Sequence, residues 1–284
     1  MQLSKKIPGY IYIATLFFTM SLSAQNFKYF WLNGNSIENS SRVVSIELPE
    51  GFIRVPLEQN SFQNWLRNLP LKKTGTAVRL YNGQLKTDQS VHFRVIHIDV
   101  GKLNLQQCAD AIIRLRAEYL YEMDQSNSIS FNFTSGHAAE YKQWIHGFRP
   151  RINGNDVKWE NLSGVDSTYT GFRKYLNTVF TYAGSYSLKK ELIPVNHVNN
   201  ICGGDMFIQG AFPGHGIIVL DKAENGLTGK IAILLAQSYM PAQDIHILKN
   251  PGNPELSPWY IVGKGERLIT PEWIFEWKDL RRFK

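Results

Sequence analysis

Residues Asp205-Met206-Phe207-Ile208-Gln209, Gly216-Ile217-Ile218-Val219-Leu220 and Lys230-Ile231-Ala232-Ile233-Leu234-Leu235-Ala236-Gln237 decide the fold. Each is a short, largely apolar run bounded by glycine, proline or polar turn residues. Three such runs in succession predict an antiparallel meander at about 205–237, with 221–229 as a hairpin loop. His215 heads the second run after Pro213-Gly214, and Gln237 ends the third. On adjacent antiparallel strands the two side chains can meet.

The strongest helical pattern precedes this meander. In residues 106–122 Cys108, Ile112, Leu115, Tyr119 and Glu122 trace one face, with Ala111 beside it. Cys108 therefore lies in the first turn and points to the buried side. A helix start lowers a thiol pKa through its dipole and free amides. Cys108 as nucleophile, His215 as proton acceptor and Gln237 as the group orienting the imidazole would form a catalytic set. Taken alone, a cysteine on a helix face is usually a small core residue, and the matching His215 and Gln237 are what raise the catalytic reading of Cys108.

Outward from this core, 62–69 reads as a helix capped by Ser61. Residues 77–80 read as a short strand leading into Tyr81-Asn82-Gly83, and 92–100 as an alternating strand. A hairpin is expected at Asn153-Gly154, a second helix at 169–182, and a closing helix opened by Pro271-Glu272-Trp273. His246 and Gln243 follow the third run and are candidates to line the same cleft. Asp221 is a second candidate to orient the imidazole, and Asp205 is expected to fix its loop by bonding backbone amides. Cys202, before Gly203-Gly204, reads as structural.

The first 24 residues have the three parts of a secretory signal. Lys5 and Lys6 are the basic part, 7–20 the apolar part, and Ser21-Leu22-Ser23-Ala24 the small residues for cleavage. The apolar run is shorter than the ~20 residues of a membrane span and contains Pro8-Gly9. Cleavage leaves 25–284, read as a single α+β domain exported to the periplasm or beyond, with no membrane span. The 43% hydrophobic and 19% charged content is that of a folded protein. A net charge of +7 suits anionic envelope components such as cell-wall polymers. With no dense Lys/Arg stripe, nucleic acid is not an expected partner. The two cysteines can form one disulfide or stay free, and no Cys/His spacing calls for a metal or other cofactor.

The runs Gly204-Asp205-Met206-Phe207, His215-Gly216-Ile217-Ile218-Val219 and Leu235-Ala236-Gln237-Ser238 resemble the core of NlpC-type papain-like hydrolases. That family has a helix-start Cys, a Gly-Asp strand, a His-led strand and a third His, Asn or Gln on the next strand. Its common Asp-Cys-Ser-Gly is here Gln107-Cys108-Ala109-Asp110. The resemblance implies an antiparallel sheet with the nucleophile-bearing helix packed on it, elaborated by 25–105 and 128–200. It also implies an exported cysteine hydrolase acting on amide or ester bonds, with cell-wall peptides as substrates. A non-catalytic binding or structural protein on the same scaffold stays open. Over most of the mature chain the sequence resembles a domain of unknown function in exported bacterial proteins. The runs that carry this are Leu105-Gln106-Gln107-Cys108-Ala109-Asp110, then Pro213-Gly214-His215-Gly216-Ile217-Ile218-Val219-Leu220-Asp221, then Leu234-Leu235-Ala236-Gln237-Ser238-Tyr239-Met240-Pro241.

Overall fold

A computed structural model describes residues 27–34 and 41–284; the signal assigned to 1–24 lies outside them. In chain order the elements are β1 (Ile53–Arg54), α1 (Phe62–Arg67), β2 (His92–Val95), α2 (Cys108–Glu122), β3 (Ser130–Asn132) and β4 (Ala138–Glu140). Then come α3 (Tyr141–Ile145), β5 (Phe148–Asn153), β6 (Asp156–Asn161), α4 (Tyr169–Tyr182), α5 (Ser185–Glu191), β7 (Ile193–Pro194), β8 (Met206–Gln209) and β9 (His215–Glu224). The chain closes with β10 (Ile231–Gln237), β11 (His246–Leu248), β12 (Trp259–Ile261), β13 (Arg267–Ile269), β14 (Ile274–Glu276) and β15 (Leu280–Arg282).

The protein is α+β, built on a nine-stranded sheet with the path β2-β11-β10-β9-β8-β15-β7. β1 adds to β9, and β12 to β10. All of its pairings are antiparallel. The expected meander is its centre: Met206 pairs with Ile218, and Ile218 with Ala236. Continuous apolar runs such as 231–236 suit a strand buried on both faces, and every residue of β10 is buried. Alternate residues feed two separate clusters. Ile218, Leu220, Leu234 and Ala236 face α2 in the larger cluster. Ile217, Val219, Ile233 and Leu235 face Phe207, Leu268 and Phe275 in the other. The C-terminal segment thus covers the sheet face that α2 leaves open.

α2 begins at Cys108, with Gln107 as N-cap. The sequence marked one apolar face, yet the helix is buried on almost all sides. Its polar side is neutralised in place: Arg114 Nε donates to Glu118 Oε1 at 2.6 Å, and both side chains are buried. Arg114 also reaches Asp99 Oδ2 at 3.1 Å and Gln106 Oε1 at 2.7 Å. A buried guanidinium is tolerable only with such partners.

Several expectations are met and others corrected. Ser61 Oγ accepts from the Asn64 N–H at 3.2 Å and caps α1. The central hairpin turns through Gly154-Asn155, with Gly154 at φ +59°. The strand expected over 92–100 ends at Val95, beyond which Asp99 serves Arg114 and Arg173 instead of the ladder. Residues 77–80 contribute isolated bridges. β9 runs on to Glu224, so Asp221 is a buried strand residue, not a hairpin-loop residue. A bulge opposite Leu234/Leu235 admits it. Residues 271–273 form a bend that leads into β14 rather than a helix, because Thr270 Oγ1 bonds Trp273 and sets a turn. No helix among the described residues is long and apolar enough to cross a membrane.

Candidate active site

His215 and Gln237 start and end the two central strands, at the same end of the sheet, and the structure brings them together. His215 Nε2 lies 2.9 Å from Gln237 Oε1, and both residues are buried. The surrounding bonds assign every proton in this group. Gln237 Nε2 approaches Glu272 Oε2 at 2.6 Å and His246 Nε2 at 3.4 Å. His246 Nδ1 lies 2.9 Å from the Asp244 carbonyl. A carbonyl and a carboxylate only accept, so His246 carries its proton on Nδ1 and Gln237 turns its NH2 to Glu272 and His246. Gln237 Oε1 is then left to accept, which places the His215 proton on Nε2. The lone pair of His215 is on Nδ1.

Lys86 completes the back of this group, its Nζ 2.6 Å from Glu272 Oε1 and 5.2 Å above the Tyr239 ring. Aromatic rings pack round the imidazole: Tyr239 at 4.8 Å, Trp273 at 5.2 Å and Phe275 at 5.9 Å between centroids. Trp273 is held there by its Nε1–H bond to Gln209 Oε1 at 2.9 Å. Gln209 is the cross-strand partner of His215. Burial drives the His215 pKa down from 6.5 to about 4, against the pull of the Gln237 bond and with help from Lys86. His246 is lowered by burial to about 3. Both rings are neutral at physiological pH.

Cys108 is the first residue of α2, and its thiol meets β9 at the backbone of Gly216, next to His215. Gly216 permits this packing: a Cβ there would stand 3.1 Å from Ile112 Cδ1. The helix start was expected to depress the thiol pKa. Instead burial, then the Asp110 carboxyl, raise it from 9.0 to about 11, and the amides of Ala109, Gly216 and Cys108 only partly offset them. Asp110 is drawn into the first turn by the Gln107 N–H at 3.0 Å. Among the described residues no hydrogen bond joins the thiol to His215, whose ring leans toward Trp273 and Phe275 on the far side of the sheet. Tyr239 links the two, touching the imidazole and lying close enough to feel a charge on Cys108.

The other candidates are placed elsewhere. Asp221 accepts from Arg54 at 2.7 Å and Arg67 at 2.6 Å and does not reach His215 as an orienting group. Asp205 accepts the Cys202 N–H at 2.9 Å and takes Arg282 through both oxygens. Cys202 is a free thiol beside Gln63 and Asp205, and Cys108 is free as well. Gln243 Nε2 bonds the Pro241 carbonyl, and the Gln243 backbone carbonyl accepts from Ser238 Oγ. His246 sits behind Gln237 instead of lining a cleft. Lys86 and Glu272 were not legible as site residues, since they reach the group across 186 and 35 residues of sequence.

No curated protein and no solved structure matches the chain. A family model described as "Domain of unknown function (4846)" matches residues 43–282, which include every element from β1 to β15, and the chain belongs to that family.

Proposed function

We propose that this chain is an exported cysteine hydrolase with a papain-like core, acting on amide or ester bonds, with cell-wall peptides as its substrate class. One observation carries the reading: the His215–Gln237 bond at 2.9 Å, which leaves Nδ1 of a neutral buried imidazole as a base. The Cys108 helix start on Gly216 and the strand order β8-β9-β10 support the papain-like core. Lys5, Lys6 and the apolar run before Ser21-Leu22-Ser23-Ala24 support export.

The chemistry follows from the protonation states. Thiol and imidazole are both neutral at rest; once the ring, which leans away from the thiol at rest, comes within reach of it, His215 Nδ1 takes the Cys108 proton as the sulfur attacks the substrate carbonyl carbon. Gln237 Oε1 holds the Nε2–H of the resulting imidazolium. The amides of Cys108 and Ala109, which lie at the thiol, are the donors available to the oxyanion. His215 returns the proton to the leaving amine or alcohol, giving an acyl-thioester on Cys108. Water, deprotonated by the same nitrogen, then attacks the thioester carbon; the C–S bond breaks, the acid leaves, and His215 returns the proton to the Cys108 sulfur.

A non-catalytic scaffold is the second reading. It is favoured by the missing thiol–imidazole bond and by a thiol pKa raised to about 11. Acyl transfer from an activated ester separates the two. Under the hydrolase reading Cys108 becomes acylated, mass spectrometry locates the adduct there, and His215→Ala slows the step by about a hundredfold or more. Acylation no faster at Cys108 than at Cys202, or indifferent to His215→Ala, would leave the scaffold reading. Peptides released from purified cell wall by the wild type and not by Cys108→Ala would test the substrate class.

A further inference from the structure

Gln237 is a symmetric choice for an orienting residue, because an amide can present either its oxygen or its nitrogen to the imidazole. With oxygen forward, His215 is protonated on Nε2 and keeps a basic Nδ1. With nitrogen forward, Nε2 must accept, the proton moves to Nδ1, and the ring has no base on that side. Something outside the three-residue set must choose.

We propose that Glu272 makes this choice: it is a positioning residue that holds the Gln237 amide oxygen-forward and so fixes the tautomer of His215, an assignment that rests on the cysteine-hydrolase reading of the site. Its Oε2 takes the Gln237 Nε2–H at 2.6 Å, and its Oε1 is fixed by Lys86 at 2.6 Å. Glu272 is 17% exposed at its side chain and Lys86 9%, so water competes little for either bond. A carboxylate cannot donate, so turning the amide round would set Gln237 Oε1 against Glu272 Oε2, two acceptors at hydrogen-bond distance. His246 Nε2 favours the same orientation over a longer 3.4 Å contact. The neighbouring Trp273 covers the ring, so residues 272 and 273 bring both the tautomer lock and the aromatic cover to one end of the sheet. Glu272 touches neither the thiol nor the imidazole and acts only through Gln237.

The imidazole nitrogen shifts of His215 report the tautomer directly. Long-range proton–nitrogen NMR on isotope-labelled full-length protein reads them, with His215→Phe identifying the resonances. The wild type is expected to show Nε2–H alone. Glu272→Ala is expected to show a mixture with Nδ1–H, and Glu272→Gln, whose oxygen can still accept from Gln237, to keep the wild-type tautomer. Acyl transfer to Cys108 should fall with the competent fraction, by about twofold for an even mixture and more beyond it. If Glu272→Ala does not fold, the charge-free pair Lys86→Met with Glu272→Leu carries the same test. An unchanged tautomer in these variants, with acyl transfer intact in the wild type, overturns the role of Glu272 and leaves the hydrolase reading standing. A tautomer that responds in a wild-type background without acyl transfer overturns the hydrolase reading, and the catalytic meaning of the lock falls with it.

Discussion

At one end of β9 Asp221 is gripped by Arg54 and Arg67; at the other His215 is equally buried but is held by one neutral amide. The same strand thus buries two polar side chains under opposite electrostatic rules. At Asp221 two guanidiniums stand where the carboxylate lost its water. One comes from β1, and the other from the last residue of α1, whose Nη1 also bonds the Val55 carbonyl. His215 has no carboxylate against it, so burial strips its charge and leaves a lone pair. A buried ion pair with every site filled is a fastening, whereas a buried neutral base with one nitrogen uncommitted is available for chemistry. Two of the described arginines are thereby spent on structure, at the end of the strand remote from the thiol.

The contrast breaks most visibly at Asp221. Asp221→Ala leaves two largely buried guanidiniums without a counter-charge and is expected to cost about 3–5 kcal/mol of stability, measured by denaturant unfolding. A loss below about 1 kcal/mol would mean the pairs behave like screened surface bridges. His215→Phe, by comparison, should unfold at nearly the wild-type denaturant concentration at neutral pH while losing acyl transfer.

Acid should act through the opposite end. The folded pKa of His215, about 4, and of His246, about 3, lie below the unfolded value of 6.5, so the unfolded chain binds more protons between those limits. Stability is therefore fully present above pH 6.5 and falls as pH drops toward 4 and then 3, by at most about 1.4 kcal/mol per pH unit for each ring. His215→Phe should remove its share of that slope. At the alkaline side the sign reverses for Cys108, raised from 9.0 to about 11, so stability falls as pH climbs through that window and Cys108→Ala flattens it. Denaturant midpoints collected across pH would check both limbs, and parallel curves for wild type and variants would refute the assignment of either group.

The smallest effect expected is at Ser61. Its hydroxyl caps the helix that delivers Arg67 to Asp221. Ser61→Ala should cost about 1 kcal/mol and leave acyl transfer to Cys108 unaltered. A change in that rate would show that the two ends of the sheet are coupled.

Much of the frame was legible from residue order alone. The apolar runs at 205–237 have no polar alternation, and only a strand covered on both faces can use them. Ser61 ahead of Phe62 carries a capping signal within four residues. The meeting of His215 with Gln237 follows once their strands are neighbours, because antiparallel pairing joins the start of one to the end of the next. Such signals are local, or become local after one hairpin closes.

Tertiary structure alone decided the electrostatics. The sequence placed Cys108 at a helix start and so implied an acidic thiol, yet burial and Asp110 reverse that effect, and neither is written in helical spacing. The chain at 271–273 read as a helix opening, whereas its folded place delivers Glu272 to Gln237 and Trp273 to His215. Asp221 read as a turn residue until the bulge in β9 and two distant arginines gave it a buried charge to share. The physical reason is common to all three. Backbone geometry and apolar patterning are set by near neighbours, but the charge state of a buried group depends on which distant side chains replace the water around it.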